Sequence, residues 1–155
     1  QIDGDGFSYV YSHEKRCHGM IVSILPFRRT NRFIEYMLRS ELTPPWGEFN
    51  CVSSITGGVE NADPIETAIH EMKEEAGYTI TDKQLIDLDI VKISKSADTD
   101  AYLFAVDVTN LKPEKPDGDG SFLETKAHCF WSNSINEAVD PLVFVLYYKL
   151  KKYLD

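Results

Sequence analysis

Long apolar runs are missing from this sequence, and with them one class of protein. None of its 155 residues falls in a stretch approaching the roughly 20 apolar residues needed to cross a bilayer. The amino end also lacks the basic-then-apolar pattern of a secretion signal, so no membrane contact and a cytoplasmic location are expected. Cysteine is scarce. Cys17, Cys51 and Cys129 are odd in number, far apart and free of CxxC spacing, which argues against a disulfide framework and against zinc. Positive charge is short as well: 16 Lys and Arg face 25 Asp and Glu, for a formal net charge of −9. Such a surface is unsuited to an extended nucleic acid, whereas a small anionic ligand entering a cation-filled pocket remains compatible with it. Repeats, low-complexity tracts and long linkers are also absent. With 43% hydrophobic and 26% charged residues, the chain reads as one globular domain over 1–155, with residues 1–15, including Asp3-Gly4-Asp5-Gly6, as a mobile terminus.

What the sequence does contain is concentrated between Gly57 and Gly77. The spacing predicts a helix behind a glycine turn: Asp63 as the cap, Pro64 in the first helical position, Glu66 completing a D-x-x-E capping box, and Gly77 as the stop. At about 100° per residue, Glu71, Glu74 and Glu75 gather within a third of the circumference, beside a stripe of Ile65, Ala68, Ile69, Met72 and Ala76. Like charges three and four apart cost an isolated helix roughly 0.2–0.5 kcal/mol per pair, so positive charge is expected nearby. Lys73 supplies some. Carboxylates are hard ligands, and Mg2+, with Mn2+ as the alternative, is the matching cation.

The segment His70-Glu71-Met72-Lys73-Glu74-Glu75-Ala76-Gly77-Tyr78 resembles the second half of the Nudix hydrolase box, G-x5-E-x7-R-E-U-x-E-E-x-G-U with U apolar. It departs at His70, where the box has arginine. The first half departs further: the box's earlier glutamate aligns with Ala62, and the segment between Gly58 and the helix is two residues short. The resemblance implies cleavage of a nucleoside diphosphate linked to another moiety. It assigns Glu71, Glu74 and Glu75 to catalysis and, with the Gly57 carbonyl, to the metal. Val52 to Glu60 resembles the approach to the box in pyrophosphohydrolases acting on dATP and dihydroneopterin triphosphate. His70, four residues before Glu74, is placed to donate to it as a supporting residue. A catalytically weak, nucleotide-binding sensor is the alternative, since Ala62 and His70 both depart from the box.

Outside the box, Met20 to Leu25, Phe33 to Leu38, Leu85 to Ile93, Ala101 to Val108 and Ala127 to Trp131 read as strands. A polar turn lies at Arg28 to Arg32, and a helix runs from Asp140-Pro141 toward Leu154, with Lys149, Lys151 and Lys152 near its end. Mixed strands with one helix midway and one at the end give an α/β class, and the order resembles the α/β/α Nudix sandwich around a mixed β-sheet. Asp117-Gly118-Asp119-Gly120 reads as a flexible turn, because Phe122 and His128 stand where an EF-hand needs glycine and glutamate. Glu124 follows it, where the resemblance places a further acidic group that serves the metal. Arg39 closes the second strand, where the resemblance places an arginine that reaches phosphate. Trp46, in a stiff Pro-Pro loop, either stacks on a base or closes over the core, with the core favoured. The expected partner is a small-molecule nucleotide, and a homodimer is admitted.

Overall fold

Along the chain the computed structural model runs β1 (Ile2–Gly4), β2 (Phe7–Tyr9), β3 (Met20–Arg29), β4 (Ile34–Thr43), β5 (Glu48–Ser53), β6 (Ile55–Gly58) and α1 (Pro64–Glu74). It continues with β7 (Leu85–Lys92), β8 (Asp100–Asp107), β9 (His128–Ser132) and α2 (Pro141–Leu154). The structure describes residues 2–4, 7–61, 63–118 and 126–155. Glu124 and Ala62 lie outside the described residues. Among the described residues, no helix is long and apolar enough to cross a membrane.

The centre of the sheet is β3. One of its edges pairs in parallel with β8, from Met20↔Asp100 to Phe27↔Asp107, and its other edge is shared by β6 and the start of β4. Beyond these, β4 pairs with both β5 and β9, and β7 closes the far side against β8. The result is a mixed sheet of seven strands. Side chains alternate across a strand, so β3 serves two cores at once. Val22 and Ile24 join Phe104, Val106, Ala68 and Met72 on the α1 face. Leu25 and Phe27 join Leu103, Ala105, Val143, Leu146 and Leu150 on the α2 face. Burying apolar area on both faces seats one helix on each, giving the expected α/β/α sandwich. Asp140 caps α2 by accepting from the Leu142 amide at 2.9 Å, and Lys151 and Lys152 lie in its last turn.

The structure corrects several expectations. The hairpin strands reach Arg29 and Thr43, well past Leu25 and Leu38, because Arg28 and Glu35 pair across them at 2.5 Å and β4 goes on to pair with β5 and β9. Four strands, β1, β2, β5 and β6, were not expected. Gly57 and Gly58 lie within β6 rather than in a turn. Within the amino-terminal segment, β1 pairs with β2, and Ser12 and His13 are bonded to the segment at residues 96–98, with His13 Nδ1 2.7 Å from Asp98. Trp46 does not close over the core. It sits 46% exposed in a 3-10 turn at Pro44–Trp46.

Candidate active site

The acidic helix forms as its capping residues dictate. Asp63 Oδ1 accepts from the Glu66 amide at 2.8 Å, and the Thr67 hydroxyl donates to the Asp63 carbonyl at 2.9 Å. Thr67, Ala68 and Met72 are buried. At the other end Gly77 takes φ +73, a conformation costly for any residue with a Cβ. Its amide and that of Tyr78 then satisfy the Lys73 and Met72 carbonyls at 3.2 and 3.0 Å. With both ends set, Glu71, Glu74 and Glu75 project from one side.

These carboxylates line a cleft of about 760 Å3 with Gly57, Gly58, Glu60, Glu66, His70 and Arg16. The absence of a side chain matters at Gly57, where a Cβ would overlap the Glu71 carboxylate. The β6 main chain and Glu71 therefore approach as closely as a shared oxygen-donor site requires. Arg16 pairs with Glu60 across the mouth. At Glu74 and Glu75 the acidic cleft meets a second one of about 600 Å3, which is also lined by Met37, Arg39, Tyr78, Lys115, His128 and Trp131.

One wall of the second cleft is a strap at residues 113–118. The Glu114 amide donates to the Gly77 carbonyl at 2.7 Å, the Gly118 amide to the Glu74 carbonyl at 3.2 Å, and Lys73 pairs with Asp117 at 3.1 Å. This corrects two expectations. Asp117 and Gly118 are tied to the helix rather than forming a free turn, and Lys73 neutralises Asp117 instead of the three glutamates. Asp119 and Gly120 lie outside the described residues.

Two nitrogen-bearing side chains reach the glutamates, one from the same helix and one from β4. His70 Nδ1 lies 3.3 Å from Glu74, as its spacing predicted. Arg39 Nη2 lies 3.2 Å from Glu75, while its Nε donates to Glu41 at 3.0 Å. Burial alone would depress the Arg39 guanidinium. The charge of Glu75 and the bond to Glu41 outweigh it and hold Arg39 above its ordinary range. Beside them the Cys129 Sγ donates to the Glu75 carbonyl at 3.4 Å, and burial pushes that thiol up to about 11. All three cysteines are free, as expected.

Oxygen donors from three carboxylates and a nearby main chain suit a hard divalent cation. Among the described residues, however, no group of three or more His, Cys, Asp or Glu side chains converges on one metal position. Like charges spread, and Glu74 and Glu75 turn toward separate partners, His70 and Arg39.

The expected site residues thus divide. Gly57, Glu71, Glu74, Glu75 and His70 share the acidic cleft, and Arg39 borders the second. Trp46 borders a different surface, with Val139 and Pro141 at the start of α2. Trp131 is the tryptophan beside the glutamates, with the Arg28 guanidinium stacked 4.3 Å from its ring centre. Sequence reasoning passed over Trp131 and His128, although alternation along the expected strand at 127–131 already put Cys129 and Trp131 on one face. Arg16 with Glu60 carried no comparable signal, being 44 positions apart.

No family model matches the chain, and no curated protein is significantly similar to it in sequence. Solved structures do share its fold. The chain aligns with the crystal structure of an ADP compounds hydrolase over 86% of its own length and 72% of that chain, at 14% identity and a TM-score of 0.65. It aligns with the C. elegans Ap4A hydrolase over 88% of its length and 98% of that chain, at 20% identity and a TM-score of 0.57. With the NUDIX domain of Shewanella oneidensis NrtR, solved with ADP ribose, the shares are 99% and 94%, at 10% identity and a TM-score of 0.61.

Proposed function

We propose that this chain, which has the fold of the Nudix hydrolases, is a divalent-cation-dependent hydrolase that cleaves a phosphoanhydride bond in a nucleotide derivative. One observation carries the reading: Glu71, Glu74, Glu75 and the main chain at Gly57 line an acidic cleft, and Glu74 and Glu75 also border a second cleft that Tyr78, Lys115 and Trp131 help to line.

Glu71, Glu74, Glu75 and the Gly57 carbonyl would hold Mg2+, with Mn2+ as a substitute. When bound, the cation supplies charge neutralisation for the diphosphate and acidifies a water. A glutamate of the set accepts the proton of the attacking water. The water oxygen bonds to phosphorus as the bridging P–O bond breaks, and the departing phosphate oxygen carries away the electron pair. Lys115 is the cation that the strap offers to that charge, and Trp131 and Tyr78 give the base or sugar an apolar wall. The named substrates of the structural neighbours, ADP compounds and Ap4A, support a nucleoside diphosphate linked to a further group. The stretch before the helix supports a nucleoside triphosphate instead. A panel of both classes with ADP-ribose decides between them.

The test is direct. Glu74→Gln and Glu75→Gln keep shape and remove charge, so each should fold normally and lose most of its Mg2+-dependent turnover. Hydrolysis in oxygen-18 water should label a phosphate product. Near-normal turnover in both variants at saturating Mg2+, or label confined to a carbon-linked hydroxyl, overturns the proposal. A second reading, a nucleotide sensor without turnover, is favoured by the spread of the three carboxylates. It predicts tight Mg2+-dependent nucleotide binding and no product.

A further inference from the structure

Arg39 does not have the surroundings of a residue that grips a mobile substrate. It lies in β4 between two partner strands, opposite Ser53 on one side and Cys129 on the other, and is 6% exposed. Glu41 lies two residues on and therefore on the same face. The planar guanidinium spans Glu41 and Glu75, at 3.0 and 3.2 Å, and so links β4 directly to the end of the acidic helix. The link continues away from the cleft, where the Ser53 hydroxyl donates to the second Glu41 oxygen at 3.3 Å. Turning Arg39 toward a phosphate would break both charge-assisted bonds and leave two partly buried carboxylates without it. His70 offers a contrast. It is largely exposed and makes one contact of 3.3 Å to Glu74, so it constrains that carboxylate far less.

We propose that Arg39 is a positioning residue that fixes the Glu75 carboxylate for cation binding, and that it is not a contact for substrate phosphates. The assignment rests on the hydrolase reading for its place in the reaction, but its direct consequence is cation affinity in the absence of nucleotide. The fork is essential to the role, since one guanidinium bonds both carboxylates at fixed geometry, whereas a lysine ammonium is a point charge on a flexible stem.

The experiment measures Mn2+ binding to the nucleotide-free protein by electron paramagnetic resonance, the thermal midpoint, and kcat and KM for a hydrolysed nucleotide. These are compared for the unaltered chain, Arg39→Gln, Arg39→Lys and Glu41→Gln. Arg39→Gln should weaken Mn2+ binding and lower kcat together by about 10–100-fold, with KM for the nucleotide changed by less than about 3-fold. Arg39→Lys should recover part of the loss. Glu41→Gln, which loosens only the far end of the fork, should show a smaller loss of the same kind. A rise in KM with unchanged Mn2+ affinity and kcat would make Arg39 a phosphate contact and overturn the proposal. A fall in thermal midpoint alone would do the same by reducing the residue to a structural pair. If Arg39→Gln does not fold, unaltered Mn2+ affinity in both Arg39→Lys and Glu41→Gln refutes it. A chain without turnover whose Mn2+ binding weakens in these variants keeps the positioning role and discards the hydrolase. A chain that binds no Mn2+ discards both.

Discussion

At the scale of single residues, the chemistry of this site depends on which groups are held away from water. Cys129 borders the second cleft, yet its thiol is inert by placement: burial raises it to about 11 in spite of the opposing charge of Arg39. Because the thiolate is the nucleophile, only about one Cys129 side chain in a thousand is reactive at pH 8. The native protein should therefore resist iodoacetamide at pH 8, and labelling should accelerate tenfold per pH unit up to about 11. Mass spectrometry locates the label, and alkylation of Cys129 at the rate of a free thiol would contradict the burial. The carboxylates were legible in the sequence, because Glu71, Glu74 and Glu75 depend only on helical spacing. Their partners were less so. His70 lies on the same helix and its contact follows from i, i+4, but the Arg39–Glu75 pair joins residues 36 positions apart through the twist of a sheet. The resemblance suggested a phosphate for Arg39 from its place at the end of a strand, and a free arginine and a committed one look the same in a sequence.

Between elements, the decisive junction is the carboxyl end of α1. Gly77 turns the chain with a positive φ, and the Glu114 carbonyl packs so closely that a Cβ there would overlap it. Gly77→Ala therefore faces two costs: about 1–2 kcal/mol for the left-handed backbone, and the displacement of the strap. Thermal unfolding should show a loss of at least that size. Hydrogen exchange should show faster exchange at the Glu114 and Gly118 amides, while the amides of β3 and β8 keep their protection. Full protection at Glu114 would mean that the strap does not depend on this turn. Helix ends were legible throughout, at Asp63, Gly77 and Asp140, since caps are chosen by nearest neighbours. Strand ends were not. Arg28, Arg29 and Arg32 read as a polar turn, yet β3 continues through Arg29 because Glu35 and Asp107 neutralise its polar residues from adjacent strands.

For the molecule as a whole, the sheet separates two tasks. The α1 face carries the acidic helix, and the α2 face packs around Leu103, Leu146 and Leu150. Leu146→Ala should cost about 2–5 kcal/mol, and for a chain of 155 residues each kcal/mol lowers the thermal midpoint by roughly 2–4 °C. Its kcat below the transition should stay unchanged. Met72→Ala, equally buried but beneath the three glutamates, should lose both stability and turnover. Equal effects on kcat would deny that the sheet insulates one face from the other. The α/β class and both helices were legible from alternation and caps, whereas β5 and β6 were not, since their short glycine- and serine-containing runs acquire strand character only by pairing with β4 and β3. The strap has a consequence of another kind. Its path is held mainly by main-chain bonds to Gly77 and Glu74, so its side chains are free to change without moving the wall they stand on. A wall of this make can change what the cleft admits without disturbing the carboxylates across from it.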